Sequence, residues 1–280
     1  MIDNVEVSVI CNAYNHEKYI AQTLESFVMQ RTSFKFEVLV HDDASTDGTA
    51  DIIREYEKKY PELIKPIYQT ENQYQKGGGI TKKFQYSRAK GKYYAFCEGD
   101  DYWTDPLKLQ KQYDLMEQHP EVDMCSHGSV LIDARTNKPC GRSMRLNETG
   151  IIPTRDVIAG GGAFVMTNSL FFRASVLENE PKFRSIIKID YTMQVLGSLR
   201  GGMLYIAEEM SAYRKNVHGS WTQANRNNIA KKKATFKRVN AMLRQLDKDT
   251  NRKYHDIITK HRLKNWLKQR SLGIRALIKR

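Results

Sequence analysis

Apolar positions over the first 125 residues switch repeatedly between two periods. Mainly apolar runs at 5–11, 36–40, 64–68, 92–97 and 122–125 predict strands. Helical spacings lie between them. Ile20, Leu24, Phe27 and Val28 share a face of 17–30; Ile52, Ile53 and Tyr56 share one of 46–60; Leu109, Tyr113 and Met116 share one of 106–119. A shorter helix is predicted at 81–89. Strands alternating with helices predict an α/β fold on a mostly parallel sheet, with helices on both faces.

The pattern loosens after residue 125. Residues 129–133 and 203–207 predict strands, 211–214 a short extended piece and 190–199 a helix. The polar stretch 137–149 predicts a loop. Gly160, Gly161 and Gly162 predict a flexible break before 163–172, an apolar segment of strand character. From Asn225 onward helix formers and bases dominate. The division expected is a domain over 1–221 and a basic helical extension over 222–280.

Composition confirms a folded chain: 40% of residues are hydrophobic and 10% aromatic. No apolar run approaches the roughly 18 residues that span a bilayer. The N-terminus shows no basic segment leading into an apolar core, so no secretory signal is expected. Cys11, Cys97, Cys125 and Cys140 have neither metal-type nor redox-type spacing, and predict free thiols in a reducing cytoplasm. The net charge of +13 is uneven: residues 222–280 hold 18 Lys or Arg against three acids, while 1–221 hold 27 against 29. The basic character belongs to the extension and says little about the domain.

Two acidic pairs follow predicted strands. Asp42 and Asp43 end the run 36–40 and precede Ser45, Thr46 and Asp47, which suit the start of a helix. Capping does not account for Asp42 and Asp43, and a carboxylate there can accept the imide N–H of a uracil or thymine ring. The second pair, Asp100 and Asp101, lies in Glu98-Gly99-Asp100-Asp101-Tyr102-Trp103, directly after the run 92–97. Carboxylates at the carboxyl edge of a sheet suit a hard divalent cation shared with substrate phosphates. A plain Asp-rich turn, with Asp105 capping the helix after Pro106, is the simpler alternative.

The segments 7–15, 40–49 and 89–103, in that order, resemble family 2 glycosyltransferases, the inverting enzymes of GT-A fold. The resemblance covers about 5–221 and implies a metal-dependent transferase with a UDP-sugar donor, a glycan or lipid-linked acceptor and a place in bacterial surface polysaccharide synthesis. It implies Asn12 and Tyr14 in the nucleotide pocket, Asp43 on uracil, Asp100 near the ribose and Asp101 on Mn2+ or Mg2+. Lys82, Lys83 or Arg88 would steady the nucleotide, with the choice among them open. Asp190 would be the general base, taking a proton from the acceptor hydroxyl as it attacks. Arg214 would bind diphosphate and His218 would complete the metal shell. Trp103 and Trp221 either stack on acceptor sugar or pack in the core.

The extension allows two readings: helices packed on the domain with basic outer faces, or an amphipathic surface lying on anionic lipid at the inner face of the membrane. Aromatics for base stacking are sparse, so no nucleic-acid partner is expected. Two rivals remain. A sugar-nucleotide nucleotidyltransferase would need a Gly-rich phosphate loop after the first strand, and 11–17 has none. A non-enzymatic membrane or RNA adaptor would not need Asp101.

Overall fold

The computed structural model describes residues 4–77, 79–178, 180–217 and 228–278. In chain order the first half comprises β1 (Val5–Ala13), α1 (Ile20–Val28), β2 (Lys35–Asp42), α2 (Thr49–Lys59), β3 (Ile64–Tyr68), a π-helical turn (Thr81–Tyr86), β4 (Tyr93–Phe96), β5 (Tyr102–Trp103) and α3 (Lys108–Gln118). The second half comprises β6 (Met124–Asp133), β7 (Lys138–Ser143), β8 (Gly150–Ile152), α4 (Thr154–Gly160), a 3-10 turn (Thr167–Ser169), β9 (Phe171–Arg173), α5 (Ala174–Glu178), α6 (Lys182–Ile186), α7 (Asp190–Ser198) and β10 (Met203–Lys215). Two long helices, α8 (Ile229–Asp249) and α9 (His255–Ile278), follow.

One sheet runs β3-β2-β1-β4-β9-β6-β10-β5, with β7 added to β6 and β8 to β10. The expected parallel sheet is its first part, β3-β2-β1-β4. Beyond β4 the sheet is mixed: β9 is antiparallel to both β4 and β6, whereas β10 is parallel to β6. Strand order reverses about β1, which takes β2 on one side and β4 on the other. A crevice opens at the carboxyl ends of the strands at such a point.

Alternation along β1 feeds two cores. Val7, Val9 and Cys11 join Val38, Val40, Leu24, Phe27 and Leu109 on one face. Ile10 joins Leu39, Phe96, Phe172 and Tyr191 on the other. Both sets are excluded from water, as a sheet covered on two faces requires.

Three expectations change in the second half. Residues 122–125 and 129–133 fall in or beside one strand, β6, and 203–207 and 211–214 fuse into β10 through register shifts between Ile206 and Ser211. The expected loop 137–149 contains β7, whose side chains are mostly exposed, so no apolar pattern marks it. Residues 163–172 are not one strand: the chain turns at Thr167–Ser169 and only then enters β9. The extension packs on the domain. Val239, Met242, Leu243 and Leu246 of α8 and Ile258 of α9 are buried in the same cluster as α7. Among the described residues, no helix is long and apolar enough to cross a membrane.

Candidate active site

Three strand ends converge at the switch point: β1 delivers Asn12 and Tyr14, β2 delivers Asp42 and Asp43, and β4 leads into 98–101. Backbone bonds lock the last of these. Gly99 N donates to Asn12 O (2.9 Å), Asp101 N to Glu98 O (3.0 Å), and Thr23 Oγ1 to the carbonyls of Gly99 (3.0 Å) and Asp101 (2.6 Å). The segment is therefore a turn and not an extended end.

The turn separates its two aspartates. Asp101 is 1% exposed; its Oδ1 accepts the Arg214 amide (2.7 Å), and its Oδ2 is buried without a partner. Burial and the Asp100 charge push the Asp101 carboxyl well above the usual range, partly offset by the Arg214 amide. Asp100 keeps a partly open side chain (17% exposed), with Oδ2 4.0 Å from His16 Nε2. Glu98 is also partly open to the cleft, yet desolvation, Asp100 and Asp190 push it up to about 8.

Arg214 holds this turn. Its Nη1 donates to Asp100 O (2.6 Å), its Nη2 to Gln22 Oε1, and its guanidinium stacks on the rings of Tyr19 (4.9 Å) and Tyr102 (4.6 Å). Arg214 itself is only 5% exposed.

Asp190 opens α7 and is exposed. It does not cap the helix; its Oδ2 accepts Thr167 Oγ1 (2.6 Å). The 3-10 turn that carries Thr167 is anchored in the core. Asn168 Nδ2 donates to Ala212 O (2.9 Å), its Oδ1 accepts Ser211 Oγ (3.0 Å), and its carbonyl accepts Trp103 Nε1 (2.9 Å). Trp103 is 1% exposed and lies edge-on to Phe27, so it packs and does not face an acceptor. Asn168 thereby ties the acidic turn, β10 and Asp190 into one frame. Asn168→Ala strands buried polar partners and should cost about 2–3 kcal/mol. The expected fall in Tm is roughly 5–10 °C by calorimetry. An unchanged Tm would mean that the hydroxyls rearrange to satisfy one another.

Other expected residues are placed as follows. Asn12 Nδ2 bonds Thr81 Oγ1 (3.2 Å) and Glu98 Oε1 (3.5 Å), and Tyr14 is 38% exposed. Asp43 is buried, with its oxygens accepting the amides of Gln73 (2.8 Å) and Tyr74 (3.0 Å). Ala44 beside it takes a left-handed φ of 61°, which strains any residue with a Cβ. Lys82 pairs with Glu180 (3.2 Å) and Lys83 lies over the Phe84 ring. Arg88 is a strut of the sheet: it donates to Val40 O (3.1 Å) and Gln85 Oε1. Asp47 and Asp105 act as caps, accepting Thr49 N (3.0 Å) and Leu107 N (2.8 Å). His218 and Trp221 lie outside the described residues. Sequence patterns missed His16, Thr167 and Asn168. Only the position of His16, two residues past Tyr14, offered a hint.

The donors at the turn are hard oxygens, which suit Mg2+ or Mn2+. Among the described residues no three His, Cys, Asp or Glu side chains cluster as a closed metal cage. The residues fit a cation held by a carboxylate and completed by substrate phosphate and water.

A sheet of this order, with acids at its switch point, has the GT-A arrangement. The model of the Glycosyl transferase family 2 matches residues 8–180, and the chain belongs to that family. An uncharacterised protein of Mycobacterium tuberculosis is 35% identical over 229 residues, covering 78% of this chain and 61% of that protein. The chain thus spans about three fifths of that relative's length. The Escherichia coli UDP-Glc:alpha-D-GlcNAc-diphosphoundecaprenol beta-1,3-glucosyltransferase WfaP is 38% identical over 111 residues, 40% of this chain and 41% of its own. The crystal structure of Staphylococcus aureus TarS 1-349 with UDP-GlcNAc shares the fold, with a TM-score of 0.65 at 20% identity over 87% of this chain and 67% of that one.

Proposed function

We propose that the chain transfers a sugar from a UDP-sugar to a hydroxyl of a glycan or lipid-linked acceptor, with inversion and with Mn2+ or Mg2+ bound, in bacterial surface polysaccharide synthesis. The observation that carries this reading is the exposed Asp190, bonded by Thr167 on a turn that Asn168 ties to Trp103 and β10. The names of WfaP and the TarS complex support the donor class, and WfaP supports a diphosphate-lipid acceptor. The free thiols Cys11, Cys97 and Cys125 are buried, in keeping with a cytoplasmic enzyme working at the inner face of the membrane.

In this reading Asp190 accepts the proton of the acceptor hydroxyl. That oxygen attacks the anomeric carbon from the face opposite the nucleotide, and UDP leaves with the bonding electron pair. Asp43 receives the uracil imide at the lone pairs its loop amides leave free, and the half-open Tyr14 ring stacks beside the base with Asn12 below. Lys82 and Lys83 follow Thr81, the partner of Asn12, and remain the lysines of the donor side. The assignment at the acidic turn departs from the one implied by resemblance: Asp100, which is accessible, holds the cation, while Asp101 braces Arg214. The cation, when bound, neutralises charge on the departing diphosphate.

A thermal-shift panel of UDP-, GDP- and CMP-sugars, with and without Mn2+, tests the donor. Saturating UDP-sugar with Mn2+ should stabilise by about 3 kcal/mol at a hundredfold excess over Kd. The rise in Tm should be roughly 5–10 °C. No rise with any UDP compound, or equal rises with GDP and CMP compounds, overturns the assignment.

A further inference from the structure

Helix α9 presents two unlike faces. Its inner face is sealed on the domain. Ile258 is 1% and Asn265 3% exposed; Asn265 Nδ2 donates to Asn240 Oδ1 (3.1 Å). The His261 ring stacks on Tyr191 at 5.6 Å, and its Nδ1 lies 2.7 Å from Ile158 O. On the outer face Leu263, Trp266 and Leu267 are 58%, 44% and 54% exposed, and their i, i+3, i+4 spacing makes them one stripe. Lys260, Lys264 and Lys268 flank it, all exposed, and the Arg270 guanidinium lies 4.2 Å over the Trp266 ring. The apolar face of α8, by contrast, is consumed by the core.

We propose that this outer stripe of α9 is the docking face for an anionic bilayer. Leu263, Trp266 and Leu267 enter the boundary between headgroups and acyl chains, and Lys260, Lys264, Lys268 and Arg270 meet lipid phosphates. Charge selects this occupant. Residues 255–278 carry six Lys or Arg and one Asp, so two copies meeting through the stripe would set like charges face to face. A single-stranded nucleic acid would need several stacking rings, and the stripe has one. The proposal stands on the surface alone and does not depend on the reaction assigned to the cleft.

Co-sedimentation with vesicles of phosphatidylcholine, with and without phosphatidylglycerol, tests it. The protein should bind only the anionic vesicles and be released by high salt. Trp266→Ser combined with Leu267→Ser should lower the partition coefficient about tenfold or more. Lys260→Gln, Lys264→Gln and Lys268→Gln together should do the same, by about tenfold or more. Both variants should keep the wild-type Tm, since every altered side chain is exposed. Unchanged partitioning of either variant, or equal binding to neutral vesicles, overturns the proposal. So does a stripe variant that changes only the oligomeric mass in sedimentation.

Discussion

Asp190→Asn should lower the rate of sugar transfer by about a thousandfold while leaving donor affinity within a few-fold of wild type. The amide keeps the shape of the carboxylate, and its oxygen can still accept Thr167 Oγ1, which now bonds Oδ2 at 2.6 Å. Position is therefore retained and basicity is lost. An amide cannot take the acceptor proton at neutral pH, so the attacking hydroxyl remains a poor nucleophile. In the proposed reading donor binding rests on the ends of β1, β2 and β4, and it should be indifferent to the change. Single-turnover transfer, read beside calorimetric titration of the UDP-sugar, separates the two effects. Transfer within tenfold of wild type would remove Asp190 from the chemistry. Equal loss of transfer and donor binding would make it a nucleotide ligand.

The first half of the fold was legible because β1, β2 and β4 are covered on both faces and so read as largely apolar runs. The acids at the ends of β2 and β4 stood out because nothing in a simple helix cap demands them. The second half was harder for a definite reason. Strand β6 carries Ser126, His127 and Ser129, all at most 1% exposed, which interrupt the apolar pattern although Ser126 and Ser129 are satisfied by Ser169 and Ser211. Buried polar residues that bond each other look like loop residues in a sequence. Lys108 misleads in the same way. It sits in α3 fully buried, its Nζ 3.7 Å above the Trp103 ring, and burial pushes it down to about 7. The bond from the Arg214 amide to Asp101 was also out of reach, because a contact spanning 113 residues leaves no local trace.

The division of labour between Asp100 and Asp101 is open to a direct comparison. Asp100→Asn should reduce Mn2+-dependent transfer by about a thousandfold, since the cation contributes several kcal/mol to the leaving charge. Its Tm without metal should hardly move, because the side chain is partly open to solvent. Asp101→Asn should behave in the opposite way. The amide oxygen can still accept the Arg214 N–H, and the new N–H group occupies the place of the unpartnered Oδ2. Burial and the Asp100 charge hold the native carboxyl well above its unfolded range, so its folded form favours the proton. Such a group is best tolerated below the unfolded carboxylate pKa of about 3.9, and its contribution is lost as pH rises toward the folded value. Measured with chelator present, the Asn variant should therefore be more stable than wild type at neutral pH, with the difference shrinking as pH falls toward 4. Manganese dependence should persist. If Asp101→Asn abolished it while Asp100→Asn spared it, the metal would belong to Asp101 and the accessible aspartate would return to the ribose.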